Sequence, residues 1–312
     1  MTNRSDTVHT LVITLVIQIM AAEKKDNIRI EPLDLSSRGI RKTRELMQAV
    51  WPQQTYLTED YLDWEYNQNP AGKAYGFNAW LGDELIGHFA SQPIRAKVQG
   101  HLDRPGLLSL NIAVHPQYRR PRLFYRLADT AFTEGAKAGF AYYTGVPNAM
   151  STHLFVKHWG FQLLGQLDAR IGFGEPRYKT QKVDYEFARR WHDDELRWRL
   201  ARPGNPYRLR ASRNNPTVLS PTTYPLISAE FEIPHEYRHL PFADWLQPAG
   251  FSPLKIWIGK DPNIDWRGTA RFNLPLRFRP APLNVLFKDF HDTSITLDAE
   301  RIRYHLMDFD AY

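Results

Sequence analysis

The stretch from Gly106 to His115 is apolar at nearly every position, and a basic turn, Gln117 to Arg122, joins it to a helical pattern running to Gly139. A run of that kind calls for a strand covered on both faces of a sheet. Where such a strand feeds a helix through a short turn, unpaired backbone N–H groups converge at the helix start. The helix dipole adds positive potential, so the turn is built to receive an anion. Arg119, Arg120 and Arg122 stand beside it and suit a pyrophosphate. An ordinary basic β–α loop has the same appearance, so the reading needs the rest of the chain.

Alternation predicts a strand at 27–33, and helical spacing predicts helices at 36–50, capped by Ser36 or Ser37, and at 58–66, capped by Thr58. Asn69, Pro70 and Gly72 stop the second helix. Strands follow at 75–81 and 84–93 about a turn at Gly82-Asp83, then at 94–98 and, after a turn at Gly100, at 106–115. The pattern continues as helix 122–139, strand 140–146, helix 151–159 and strand 161–168. This order requires an α/β fold with a mixed sheet and helices on its faces. Beyond a loop-rich 202–223, strands are expected at 217–219, 226–233, 254–258 and 284–287, with a helix at 240–249.

A faint repeat runs through the chain. Leu62-Asp63-Trp64-Glu65, with Pro70 and Tyr75, is matched by Leu196-Arg197-Trp198-Arg199, with Pro203 and Tyr207. A duplication of that period puts a boundary near 180–190. The absence of cysteine excludes disulfides, thiolate metal sites and a cysteine nucleophile. The net charge of +6 favours anionic partners such as CoA phosphates, but it is too small an excess to call for nucleic acid. Leu11–Met20 is too short to span a bilayer, so residues 1–24 read as a leader or disordered tail, and a cytoplasmic location is expected. His235-Glu236-Tyr237-Arg238-His239 has a zinc-motif spacing, but Pro234 and Pro241 argue against a helix there, and no metal is expected. Arg197–Arg213 mixes arginine with Trp198 and Tyr207 and reads as a packing surface before a base-stacking one.

Val114-His115-Pro116-Gln117-Tyr118-Arg119-Arg120-Pro121-Arg122-Leu123-Phe124 resembles the CoA-binding turn of GNAT (N-acetyltransferase superfamily) enzymes, in a branch distantly related to the Eis-like acetyltransferases. Gly145-Val146-Pro147-Asn148 with Ser151, and Lys157 with Gly160-Phe161, resemble the end of the same motif series. Trp64-Glu65-Tyr66, Asn69-Pro70 and Ile86-Gly87-His88 also look like this branch. The resemblance covers roughly 28–167. It implies a GNAT acyl-CoA N-acyltransferase domain at 25–183 and, with the repeat, a degenerate GNAT-like or accessory half at 184–312. It further implies acetyl-CoA as acyl donor and a small-molecule acceptor amine or hydroxyl, such as an amino-sugar. By position, donor contacts are expected from Ala113, Val114, Arg119, Arg120, Arg122, Leu123, Asn148, Ser151 and Phe155.

The pattern departs from the family at three points. Arg122 stands where the family has a glycine, Phe124 where it has glycine or alanine, and Phe155 or Val156 near its usual tyrosine acid. The alternative implied is a catalytically inactive GNAT-like binding protein. For proton transfer the candidates are His115, histidine being the residue type suited to proton transfer near neutral pH, then Glu65 and His88, with Tyr142 or Tyr143 in place of the missing tyrosine. Asn111, polar within the apolar run, is either a core group or a group facing substrate.

Overall fold

The computed structural model describes residues 28–309 apart from 120, 205–206, 212–215, 223, 234, 276, 278 and 280–282. The leader or tail expected at 1–24 lies outside the described residues.

Capping chemistry sets the first two helices. Ser36 accepts from the Gly39 N–H at the start of α1 (Ser37–Val50), and Thr58 accepts from the Tyr61 N–H at the start of α2 (Glu59–Asn67). Glu59 and Asp60 in the first turn of α2 complement its dipole. The strands and helices then run β1 (Ile28–Pro32), β2 (Tyr75–Leu81), β3 (Glu84–Val98), β4 (His101–Val114), α3 (Pro121–Lys137), β5 (Tyr142–Gly145), α4 (Ala149–Trp159), β6 (Gln162–Gln166), β7 (Asp168–Phe173), β8 (Arg177–Tyr178) and β9 (Phe187–Arg190). The second half holds α5 (Asp193–Leu200), β10 (Arg208–Arg210), β11 (Thr217–Pro221), β12 (Ile227–Glu232), the one-turn α6 (Phe242–Trp245), β13 (Gln247–Pro248), β14 (Leu254–Lys260), β15 (Ile264–Asp265), β16 (Ala270–Asn273), β17 (Asn284–Asp289) and β18 (Ile302–His305).

The expected mixed sheet is present. In the first half the strands lie in the order β1-β2-β3-β4-β5-β17-β6, with only β4 and β5 parallel. In the second the order is β13-β10-β11-β12-β14-β7-β16, with β13–β10 and β12–β14 parallel. Each half therefore receives a strand from the other: β17 enters between β5 and β6, and β7 enters between β14 and β16. β9 and β18 join the two, β9 against β3 and β18 against β14.

Three local expectations change. The single strand expected at 161–168 ends at Gln166. The chain then crosses at Leu167, whose N–H reaches the Leu283 carbonyl at 2.8 Å, and continues as β7 in the other half. The helix expected at 240–249 shrinks to Phe242–Trp245, because Pro241 and Pro248 confine it. The strands expected at 84–93 and 94–98 form one continuous β3.

Two helices meet where the halves join. Trp64 on α2 and Trp198 on α5 stack with ring centroids 4.6 Å apart, and each indole N–H donates to the other's backbone carbonyl, at 3.3 and 3.2 Å. The contact is reciprocal, as at a local two-fold axis. Each of these helices precedes an antiparallel strand pair, β2–β3 after α2 and β10–β11 after α5.

Candidate active site

β4 and β5 pair only through Gly106–Leu108 against Tyr142–Thr144. Beyond Leu108 the strands part, and a cleft of about 670 Å³ opens between them. Its floor is Ser109–Val114 along β4, and its far wall is Val146, Pro147, Asn148, Ser151, Leu154 and Phe155 from the end of β5 and the start of α4. Gly145 sits at the fork, where a Cβ would lie 2.5 Å from that of Ser109. The β4 edge facing β5 has lost its strand partner, so its backbone groups are available to an extended ligand arm.

Two helix N-termini border the cleft. Asn148 caps α4 by accepting from the Ser151 N–H at 2.9 Å. The first residues of α3 contribute Phe124 and Tyr125, with Arg119 just before them. Arg119 is exposed and is the one arginine lining the cleft among the described residues. Arg120 lies outside the described residues.

The structure sorts the expected donor residues. Ala113, Val114, Arg119, Asn148, Ser151 and Phe155 line the cleft. Arg122 does not: it is exposed on the first turn of α3, so it neither fills nor floors the opening. The Leu123 side chain does not either, being buried in the core beneath Gly87. Phe124 brings bulk where the family has a small residue, and its ring packs against Trp159 and Phe155, with centroids 5.6 and 6.4 Å away.

The proton-transfer candidates separate more sharply. His115 lies outside the cleft, where its Nδ1 accepts from the Gln117 N–H and caps the turn Pro116–Tyr118; Pro116 fixes that turn just past the strand end. Tyr142 points into the core shared by the two halves, its ring against Phe187 and Phe287, and is fully buried. Burial pushes its phenol well above the ordinary tyrosine range, so it is not placed to act on a ligand. The Tyr142 ring also lies where a Cβ on Gly106 would fall, 2.2 Å away. Gly106→Ala is expected to destabilise the protein by roughly 1–3 kcal/mol through overpacking, read as a lower urea midpoint. Tyr143, on the opposite face, accepts from the Ser91 hydroxyl at 3.3 Å and is equally buried.

Glu65 is at the cleft. It is 2% exposed, accepts from the Tyr61 hydroxyl at 3.0 Å and accepts from the Asn111 amide at 2.9 Å. Burial pushes its carboxyl up to about 7, against the pull of Arg199, the Asn111 amide and Arg202. A carboxylate poised there can exchange a proton near neutral pH. Asn111 lines the cleft and is also hydrogen-bonded to Glu65 and the Tyr66 hydroxyl in the interior. A bulge in the β3–β4 register at Leu110–Asn111 turns it inward. His88 lies behind, fully buried.

The remaining wall had no sequence signal as a site. Val50 and Trp51 come from the end of α1, and Tyr56 and Tyr61 from the loop before α2 and from α2 itself. Phe309 comes from the far end of the chain. Arg199 donates to the Phe309 carbonyl at 3.1 Å and Arg189 to the Asp308 carbonyl at 2.7 Å, so the second half fixes this wall. Tyr125 follows Phe124 on the inward side of α3 and could have been found by helical spacing from the turn. Among the described residues no group of three His, Cys, Asp or Glu could hold a metal, and no helix is long and apolar enough to cross a membrane. His239 faces Asp193 at 3.9 Å, and residues 235–237 form only a 3-10 turn.

Comparisons with known proteins agree with this geometry. Residues 43–161, from α1 to the start of β6, match the family model described as the acetyltransferase (GNAT) family. No curated protein matches the chain. Among solved structures, a GCN5-related N-acetyltransferase from Kribbella flavida aligns over 84% of this chain and 71% of its own, at 10% identity and a TM-score of 0.52. Saccharomyces cerevisiae N-myristoyltransferase, solved with bound myristoyl-CoA and inhibitors, aligns over 89% of this chain and 85% of its own, at 9% identity and 0.51. Eis1 from Mycobacterium abscessus aligns over 73% of this chain and 64% of its own, at 12% identity and 0.46. Identities this low speak to the fold alone, and alignments of 84% and 89% take in both halves. The splayed β4–β5 cleft thus lies within the segment that is similar to the acetyltransferase (GNAT) family.

Proposed function

We propose that the protein transfers an acyl group, acetyl in the simplest case, from acyl-CoA to an amine of a small acceptor. The observation that carries this reading is the buried Glu65 carboxyl, poised near neutrality, beside the fork between β4 and β5. The donor arm would lie along the unpaired β4 edge, with its phosphates toward Arg119 and the α3 start. The thioester carbonyl would be met by a backbone N–H near Val114. The amine nitrogen bonds to the carbonyl carbon, the carbon–sulfur bond breaks, and CoA leaves as thiolate. Glu65 takes the proton that the amine gives up. Tyr125, whose ring lies tilted against that of His158 with centroids 4.5 Å apart, is the tyrosine lining the donor side and is the candidate to protonate the thiolate.

The acceptor end favours one amine on an aromatic or apolar body over a polycationic amino-sugar. Trp51, Tyr56, Tyr61 and Phe309 line it, and Glu65 is the one carboxylate among the lining residues. A polycation would ask for several.

Calorimetric titration with acetyl-CoA tests the donor side. Arg119→Ala is expected to weaken binding by roughly 1–3 kcal/mol, the range of a charge-assisted contact, and added salt should narrow the gap. Binding without release of free thiol in the presence of any amine would favour the inactive reading, which Phe155 at the cleft wall supports. No binding by wild type would end the acyltransferase reading.

A further inference from the structure

Behind the cleft a file of buried polar groups leads inward from Asn111. Its amide nitrogen donates to Glu65 Oε2 at 2.9 Å and to the Tyr66 hydroxyl oxygen at 3.1 Å, which uses both its hydrogens. The Tyr66 hydroxyl lies 2.9 Å from His88 Nε2, and His88 Nδ1 lies 2.7 Å from Asn78 Oδ1. A carbonyl oxygen can only accept, so His88 carries its proton on Nδ1 and accepts from Tyr66 on Nε2. This tautomer is assigned from the partners. The reverse order would leave the Tyr66 hydrogen without an acceptor in a dry interior. His88 has no charged partner, and burial pushes its pKa down to about 3, so it stays neutral. Asn111 Oδ1 has no hydrogen-bond partner among the described residues, and Asn111 is part of the cleft lining.

We propose that Tyr66 and His88 are positioning residues that hold the Asn111 carboxamide in one orientation, and that Asn111 thereby offers the acyl acceptor a hydrogen-bond acceptor only. The second half of this proposal rests on the acyl-transfer reading; the first does not. The consequence is a preference among amines. A primary amine in its neutral, nucleophilic form has two N–H groups, one for Glu65 and one for Asn111. A secondary amine has one and must leave an acceptor unmet.

The anchor from Glu65 depends on its charge, which Arg199 and Arg202 on the α5 side favour and burial opposes. Below neutrality that anchor weakens, and Tyr66 alone keeps the amide from turning over.

The positioning half is read by NMR on the Asn111 side-chain amide, identified as the pair missing in Asn111→Leu. In the wild type this pair should exchange slowly with solvent on both sides of neutrality. In Tyr66→Phe and His88→Leu it should exchange roughly ten-fold faster below neutrality, the scale of one lost buried hydrogen bond. His88→Gln, which can still accept from Tyr66, should behave as wild type. Equal exchange in wild type, Tyr66→Phe and His88→Leu would overturn the positioning role. If Tyr66→Phe fails to fold, the two His88 variants decide.

The specificity half is read with acetyl-CoA and the probes benzylamine and N-methylbenzylamine. Wild type should favour benzylamine in kcat/KM by roughly three- to ten-fold, again one hydrogen bond. Asn111→Ala should raise KM for benzylamine and bring the ratio near one. An unchanged ratio would overturn this half. Transfer to neither probe would remove it together with the functional reading, while the amide exchange would still decide the positioning role.

Discussion

Glu65→Gln is expected to lower turnover by about 10²–10⁴-fold, the usual contribution of a positioned general base. CoA binding should be unchanged, because Arg119 and the two helix N-termini on the donor side are untouched. The wild-type rate should rise with pH through a midpoint near 7, as the carboxyl ionises, and the variant should lack that rise. The same substitution has a stability signature of definite sign. The folded-state pKa is raised from 4.5 to about 7, chiefly by burial. Between those values the native state holds a proton that the unfolded chain has released. Stability from this group is therefore complete below the unfolded value and falls as pH rises, by at most about 1.4 kcal/mol per pH unit, until the native carboxyl ionises. Urea unfolding across that window should show the slope in wild type and not in Glu65→Gln. A variant with wild-type turnover, or one that keeps the slope, would remove Glu65 from the role given to it.

Cutting the chain at the boundary implied by the repeat is expected to leave two fragments that do not fold alone. In a fragment of residues 28–183, β6 has no partner at all, since its pairing is with β17. The fragment also lacks Val285, Leu286 and Phe287, each at most 1% exposed in the intact chain. At about 1.5–3 kcal/mol for each buried side chain, that loss approaches the whole stability of an ordinary domain. The fragment 184–312 is short of β7 in the same way, and β16 loses its partner. Each expressed singly should be insoluble or poorly dispersed by NMR, and the two expressed together should restore soluble protein that binds acetyl-CoA. A cooperative thermal transition from 28–183 alone would contradict this. The exchange of β17 and β7 between the halves is what makes each depend on the other.

Much of the first half was legible because its signals are local. Thr58 and Ser36 announce their helices by side-chain chemistry, and Gly82-Asp83 announces its turn; β2 spans Tyr75–Leu81, as alternation predicts. Glu65 could be named from its short helix and the Trp64-Glu65-Tyr66 resemblance, but only behind His115, which the structure puts outside the cleft. What failed depended on partners far away in sequence. Nothing near Leu167 says that the chain should change sheets there, since the strand it meets begins at Leu254. Tyr142 and Tyr143 are adjacent and both buried, so only the packed sheet decides which faces the shared core and which faces α3 and α4. The bulge at Leu110–Asn111 breaks alternation inside a run that is apolar anyway, and so leaves no trace in the pattern. Phe309 enters the cleft wall only because arginines of the second half hold the backbone around it.

The reciprocal Trp64–Trp198 contact has an optical consequence. Two indoles stacked at 4.6 Å with an interplanar angle of 19° are close enough for their electronic transitions to couple. Coupled transitions give circular dichroism of opposite sign on either side of the shared absorption band, a signal neither chromophore produces alone. Because one indole belongs to each half, the couplet reports the docking of the halves and not the folding of either one. Partial opening along this seam would extinguish it while the peptide bands of helix and sheet persisted.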